Sequence, residues 1–302
     1  MVFKRMLSAF GVGAPSVDTV LHNPRTTPGG ALSGEVRIKG GEVDAEIEHI
    51  TLTLVARVEI EHSEGESSGL REFFGAPVSG PFTLRKGEER AIPFQLPVPW
   101  ETPISEGMRG MALGVRTELA IAKAVDKGDL DMIEVVPLPS QRYVLDALSR
   151  LGFHFRSADL EAGHIGGSRQ TLPFYQEIEF TSHQYGEIEV TFISDAHHLE
   201  VVIEGGHDAI GRFPTTHDEA VRTDWASVFG NWLAQRSHGG YGGHHGGHRG
   251  GHHGGHYDDD HHSGGIGVGG MVAGVAAGVV GGMIIGEVVD EVFEDVFEGD
   301  EE

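Results

Sequence analysis

The sequence predicts an all-β architecture of two sandwich lobes with one or two short helices, and three observations predict it. Apolar residues alternate with polar ones at period two in segment after segment. Turn signals recur about every 8–12 residues, and helical periodicity surfaces only in short stretches. An α/β fold would instead need strands alternating with helices throughout. The alternation stops near residue 237, where a biased tail begins.

Taken in order, residues 2–10 place Phe3, Met6, Leu7 and Phe10 at helical spacing, with Lys4, Arg5 and Ser8 elsewhere. So short a segment is a weak helix alone. It reads either as an arm docked on the body or as a membrane or dimer contact. Its apolar run is too brief for a signal peptide. Ala31–Lys39 reads as a strand. His49–Glu61 is the clearest one: Ile50, Leu52, Leu54, Ala56, Val58 and Ile60 share one face, and Thr51, Thr53, Arg57, Glu59 and Glu61 fall opposite. Such a ribbon buries one side against a facing layer. Arg90–Val98 and Leu113–Ile121 are further strands, and Asp131–Val136 follows a turn at Lys127-Gly128.

Between Val136 and Phe153 the period changes. Pro137, Pro139 and Ser140 precede Val144, Leu148 and Leu151, and Gly152 is a natural C-cap, so one helix of about three turns is predicted near the junction of the halves. A second strand set follows. Gln176, Ile178 and Phe180 alternate with Glu177 and Glu179; Ile188, Val190 and Phe192 alternate with Glu187 and Glu189; Leu199, Val201 and Ile203 form another row. Asp224 then caps a helix carrying Trp225, Val228, Phe229 and Trp232 on one face, a stripe for core or docking. The domain expectation is a sandwich over 1–128, a second over 129–236, a disordered Gly/His tract over 237–265, a glycine-zipper segment over 266–286 and an acidic amphipathic tail over 287–302.

Composition narrows function. The chain has 302 residues and a formal net charge of −24, of which −11 falls from His238 onward and −13 in the body. Phosphate backbones need clustered Lys and Arg, so nucleic-acid binding is disfavoured. Unaided adsorption to anionic lipid is disfavoured for the same reason. There is no cysteine, which excludes disulfides, thiolate metal sites and Cys nucleophiles and suits a reducing cytoplasm.

The tail holds the metal chemistry that the sequence offers. His244, His245, His248, His252, His253, His256, His261 and His262 recur at short spacings beside Asp258–Asp260. Imidazoles so arranged bind Ni²⁺, Cu²⁺ or Zn²⁺ weakly and in many registers, without the single geometry of a structural site. No cofactor is required by anything in the sequence. Residues 263–286 carry no charge, and Gly270, Gly274, Gly278, Gly282 and Gly286 recur every four residues. On a helix they form a bare groove for close helix approach, hence self-association or membrane contact; the glycine content equally suits a flexible linker. In 287–302, Val289, Val292, Phe293, Val296 and Phe297 share a stripe among acids, which reads as a solubilising tail or a segment that folds on a basic partner.

Catalytic signals are lacking. The sequence has no His-Glu-x-x-His, no Gly-x-Ser-x-Gly elbow and no phosphate loop ending in Gly-Lys-Ser/Thr. Gly265-x-Gly267-x-x-Gly270 matches a dinucleotide fingerprint formally, but no strand precedes it. Glu177/Glu179 and Glu187/Glu189 read as a solvated sheet face, and His197-His198 as a turn before a strand.

Several stretches carry a resemblance. They are Met1–Leu7, Gly11-Val-Gly13, Val17-Asp-Thr-Val-Leu21, Pro28-Gly-Gly30, Gly34–Gly41, Ile47–Leu52, Asp131–Leu138, the Gln141–Leu151 helix and Tyr175–Phe180. Ile92-Pro-Phe-Gln-Leu-Pro-Val-Pro99 is similar to an arrestin-type Pro-Phe-x-x-x-Pro edge. Over approximately residues 1–235 the chain resembles bacterial sporulation-control proteins of the stage-zero M type. The resemblance implies two arrestin-like lobes and a regulatory, protein-binding role in development, with no catalytic residues to carry over. The function expected is therefore that of a non-enzymatic, cytoplasmic adaptor acting through protein partners. The alternatives are a membrane-associated organiser tethered by the glycine zipper, or a metal buffer built on the histidine tract.

Overall fold

The computed structural model describes residues 13–62, 65–205 and 209–239. Among them lie fifteen strands and three helices, so the β-rich architecture with few short helices is the one observed. The segments for which the sequence suggests an N-terminal helix, weak metal binding by histidines, a glycine zipper and an acidic amphipathic tail fall outside the described residues. Among the described residues no helix is long and apolar enough to cross a membrane.

In the first lobe, β1 (Ser16–Leu21), β3 (Ala31–Lys39) and β7 (Glu89–Pro97) form one antiparallel layer in the order β1-β3-β7. A short parallel pair joins β2 (Arg25–Thr26) to β10 (Glu134–Val135). The facing layer is built on β4 (Ala45–His62), which pairs with β5 (Gly65–Ser79), β6 (Phe82–Leu84) and β8 (Leu113–Ile121); β9 (Lys127–Met132) pairs with β8. The alternation in β4 does what it predicts: Ile50, Leu52, Leu54, Ala56 and Val58 are buried against Leu32, Val36 and Ile38 of β3. Each large aliphatic side chain removed from water there contributes about 1.5–3 kcal/mol. Polar contacts cross the seam between β1, β8 and β9: the Thr19 and Thr117 hydroxyls meet at 2.6 Å, and the Thr19 amide donates to Asp129 at 2.7 Å.

Two local departures from the sequence reading have physical causes. Lys127-Gly128 is not the turn; both pair with β8 inside β9. The chain reverses earlier, where Lys123 adopts φ 58° and the Asp126 carboxylate accepts the Ile121 amide at 2.9 Å. β5 has no alternation to announce it, since Gly65-Glu-Ser-Ser-Gly69 is polar. It is extended because β4 templates it from His62↔Gly65 to Ile50↔Ser79, through two register shifts.

The second lobe is an antiparallel meander of β11 (His154–Ala162), β12 (Phe174–Ser182), β13 (Gly186–Ser194), β14 (His198–Gly205) and β15 (Ala209–Thr216). Its apolar face, including Ile178, Val190 and Val201, is closed by α1 (Pro139–Arg150) and α3 (Trp225–Gly239), with the short α2 (His217–Ala220) between β15 and α3. Helices supply the layer opposite this sheet because Val144 and Leu148 of α1 and Trp225, Phe229 and Leu233 of α3 give them apolar stripes of their own. α1 matches the helix read from the sequence and ends before Gly152, whose φ of 83° suits the left-handed position after a helix. Asp224 caps α3 through Ser227, and the helix runs to Gly239, past the expected start of the Gly/His tract.

The two lobes meet in one continuous sheet. β11 lies parallel to the outer half of β4 and pairs with it at Glu161↔Glu59. Beside this seam, Gln176 of β12 is 8% exposed. It accepts the Ile104 amide at 2.9 Å and donates to the Ile104 carbonyl at 2.7 Å.

Candidate functional site

Because side chains alternate across a strand, the second sheet's other face collects the residues between its core positions. In register, Asp159 of β11 stands opposite Glu177 of β12, Glu179 of β12 opposite Glu189 of β13, and Glu189 opposite Glu204 of β14. The Glu161↔Glu59 pair at the lobe seam adds a fourth like-charge match. Like charges directly opposite one another on neighbouring strands destabilise a sheet. Here they are stacked across five strands.

Counter-charges sit at the margins. Arg156 reaches Glu187 at 2.9 Å and Glu179 at 3.5 Å, and Arg212 reaches Glu200 at 3.1 Å. Among the described residues no lysine or arginine forms an ion pair with Asp159, Glu177, Glu189 or Glu204. The face is also only partly wet: Thr191 and Val202 beside these acids are buried, and Asp159, Glu177, Glu189 and Glu204 are half-buried. Asp159 Oδ1 has no hydrogen-bond partner.

Burial and mutual repulsion shift the acids strongly. Burial first, then the Glu59 and Glu161 charges, pushes the Asp159 carboxyl up to about 7. Burial first, then Glu189 and Asp159, pushes Glu177 up to about 8. Glu189 is raised mainly by burial and then by Glu204, and the Tyr175 hydroxyl is raised mainly by burial and then by Glu177. A smaller seam in the first lobe behaves alike: burial, then Asp129 and Asp18, lifts Asp131 to about 6.

One oxygen each from Asp159, Glu161 and Glu177 lies within 4.8 Å of the others, a spacing at which carboxylates can share a hard cation. Three carboxylates fall short of the six to eight oxygens that calcium takes, so the trio is at most part of a coordination shell. What the arrangement offers most directly is a dense carboxyl surface beside the lobe seam, whose central groups Asp159 and Glu177 hold protons near neutrality and take on charge when a cationic group is brought close.

The reading of Glu177/Glu179 and Glu187/Glu189 as a solvated sheet face holds only in part. Glu187 is exposed, but Glu177 and Glu189 are half-buried, because register places them at the centre of the face. Asp159, Glu161 and Glu204 belong to the same face and were not singled out by sequence. The signal that could have found them is the recurrence of acids at alternate positions in consecutive strands. His197 and His198 do form a turn: Asp195 Oδ1 accepts both main-chain amides, at 2.7 and 2.8 Å.

Comparison with known proteins agrees with this architecture. The family model described as SpoOM protein, Spo0M, matches residues 3–208. The sporulation-control protein spo0M of Bacillus subtilis (strain 168) is 36% identical over 215 residues, which is 69% of this chain and 82% of that one. The crystal structure of Spo0M, sporulation control protein, from Bacillus subtilis superposes with a TM-score of 0.68 at 30% identity, covering 74% of this chain and 99% of that one. With the strand order, the two cores and the sequence pointing the same way, the chain belongs to the Spo0M family.

Proposed function

We propose that this chain is a non-enzymatic regulator of sporulation control that acts by protein–protein contact, with the acidic face of its second sheet as the docking surface for a basic partner. The observation that carries this reading is the set of like-charge pairs in register, Asp159↔Glu177, Glu179↔Glu189 and Glu189↔Glu204. Each weakens the isolated fold once both members are ionised, and a basic surface laid over them would draw off the protons, relieve the repulsion and speed encounter. The family resemblance supports the regulatory setting, since the curated relative is named a sporulation-control protein. No residue pattern in the sequence supports catalysis. The tail adds tethering or self-association through Gly270–Gly286, and weak metal binding through its histidines.

Capture experiments test the proposal in three arms: the full chain, the chain ending at residue 236, and the full chain carrying Glu179→Gln, Glu189→Gln and Glu204→Gln. Partners lost in the third arm and kept in the second place binding on the sheet. Partners kept by the triple variant and lost on truncation would move binding to the tail and overturn the acidic-face assignment.

A further inference from the structure

Three segments converge near the lobe seam: the β7–β8 connection, the first turn of α1 and the start of β12. Trp100, Thr102 and Ile104 of the connection, Gln141 of α1, Gln176 of β12 and Phe192 of β13 line a cavity of about 20 Å³ between them. The connection is pinned on both sides of Thr102. Glu101 accepts the Thr171 and Leu172 amides at 2.8 and 3.0 Å, and the Gln176 side chain holds both main-chain groups of Ile104.

Two polar side chains on this cavity are buried with a group unpaired. Thr102 is 2% exposed, and its Oγ1 has no hydrogen-bond partner. Gln141 is 3% exposed. Its Oε1 accepts the Leu138 amide at 2.8 Å, which fixes which end of the side-chain amide is oxygen. Among the described residues its Nε2 donates to nothing. Each such orphan costs free energy that a partner would recover. Two of them on one small cavity point to a shared partner.

Size and chemistry select that partner. A water molecule needs roughly 10–15 Å³ of such space and two to four polar neighbours. Pockets for organic ligands are far larger, at roughly 300–1,000 Å³. A bound metal ion could not accept from Gln141 Nε2. A simple anion could not donate to the second lone pair of Gln176 Oε1, whose first takes the Ile104 amide. Water does both. We infer that this cavity is the site of one structural water, which accepts from Gln141 Nε2 and bonds to the Thr102 hydroxyl and Gln176 Oε1. The water joins α1 to the β7–β8 connection and β12, and so extends the Gln176–Ile104 clasp to a third element. Gln176 alternates with Glu177 along β12, so the site lies on the core side of the sheet and is independent of the acidic face.

The test is water-selective NOE and ROE spectroscopy on the ¹⁵N-labelled full chain, read at the Gln141 side-chain amide. A long-lived bound water gives a cross-peak that reverses sign between the two experiments, whereas proton exchange keeps one sign in both. The unaltered chain should show the reversing cross-peak. Thr102→Val keeps the side chain's shape and removes the hydroxyl. It should sharply weaken that cross-peak and lower the folding equilibrium constant roughly five- to tenfold in urea unfolding. Thr102→Ser keeps the hydroxyl and should keep the cross-peak. If Thr102→Val fails to fold, the spectrum of the unaltered chain still decides. Absence of the reversing cross-peak from the unaltered chain, or its survival unchanged in Thr102→Val, would overturn the site. So would a Thr102→Val chain as stable as the wild type, because deleting a hydroxyl that truly lacks a partner removes a cost.

Discussion

Replacing Glu177 by Gln should stabilise the protein in alkali and leave it nearly unchanged in acid. Glu177 titrates near 8 in the folded chain against an ordinary 4.5. The folded state thus holds its proton more tightly than the unfolded state does. Its favourable contribution is complete below about pH 4.5 and is lost as pH rises through about 8. Undamped, that difference corresponds to roughly 5 kcal/mol. The carboxylate keeps contact with water, and screening reduces the effect to about 1–2 kcal/mol. Glutamine mimics the protonated form at every pH. Urea unfolding at pH 5 and pH 9 measures the difference: the variant should gain about 1–2 kcal/mol over the wild type at pH 9 and be nearly equal to it at pH 5. An equal loss at both pH values would show that Glu177 is held by favourable contacts, and would refute the electrostatic account of the face.

Gln176→Met keeps the side chain's bulk but orphans the Ile104 amide and carbonyl beside the lobe seam, so chemical denaturation should report a loss of about 2–4 kcal/mol. Phe229→Ala removes a fully buried ring of α3 from the second core, and a loss of about 3–5 kcal/mol in the same assay is expected. Gly34→Ala would place a methyl 2.3 Å from the Val20 carbonyl oxygen; a clash with main chain should lower the thermal midpoint and disturb β1–β3 pairing first in hydrogen exchange. Equilibrium dialysis against Ni²⁺ and Zn²⁺ should show weak, multi-site uptake by the full chain that vanishes when residues 237–302 are removed.

The parts legible in the sequence were those whose own residues decide their state. β4 reads correctly because its alternation alone fixes which side is buried, and α1 because Val144 and Leu148 recur at helical spacing beside Pro139 and Gly152. β11 is obscured by the irregularity between Phe155 and Ala158, which breaks the period. β15 is obscured by Gly211 and Pro214, and it is extended because β14 pairs with it along its length. The acids of the candidate face were all visible as residues. Their significance depends on register, which sets Glu189 between Glu179 and Glu204, and register is a property of paired strands.

The Glu161↔Glu59 rung is a thin main-chain link between the halves. Among the described residues β4 and β8 are laced by nine residue pairs, whereas β4 and β11 share one. Side chains make up the difference: Leu160 of β11, Leu172 of the β11–β12 connection and Phe174 of β12 are buried within the first core, and the Phe174 ring meets Phe73 edge-on at 5.6 Å. Opening the seam would bare that nucleus to water, at about 1.5–3 kcal/mol for each large side chain uncovered. The halves are therefore welded by apolar surface and by the Gln176–Ile104 clasp, with little asked of backbone pairing.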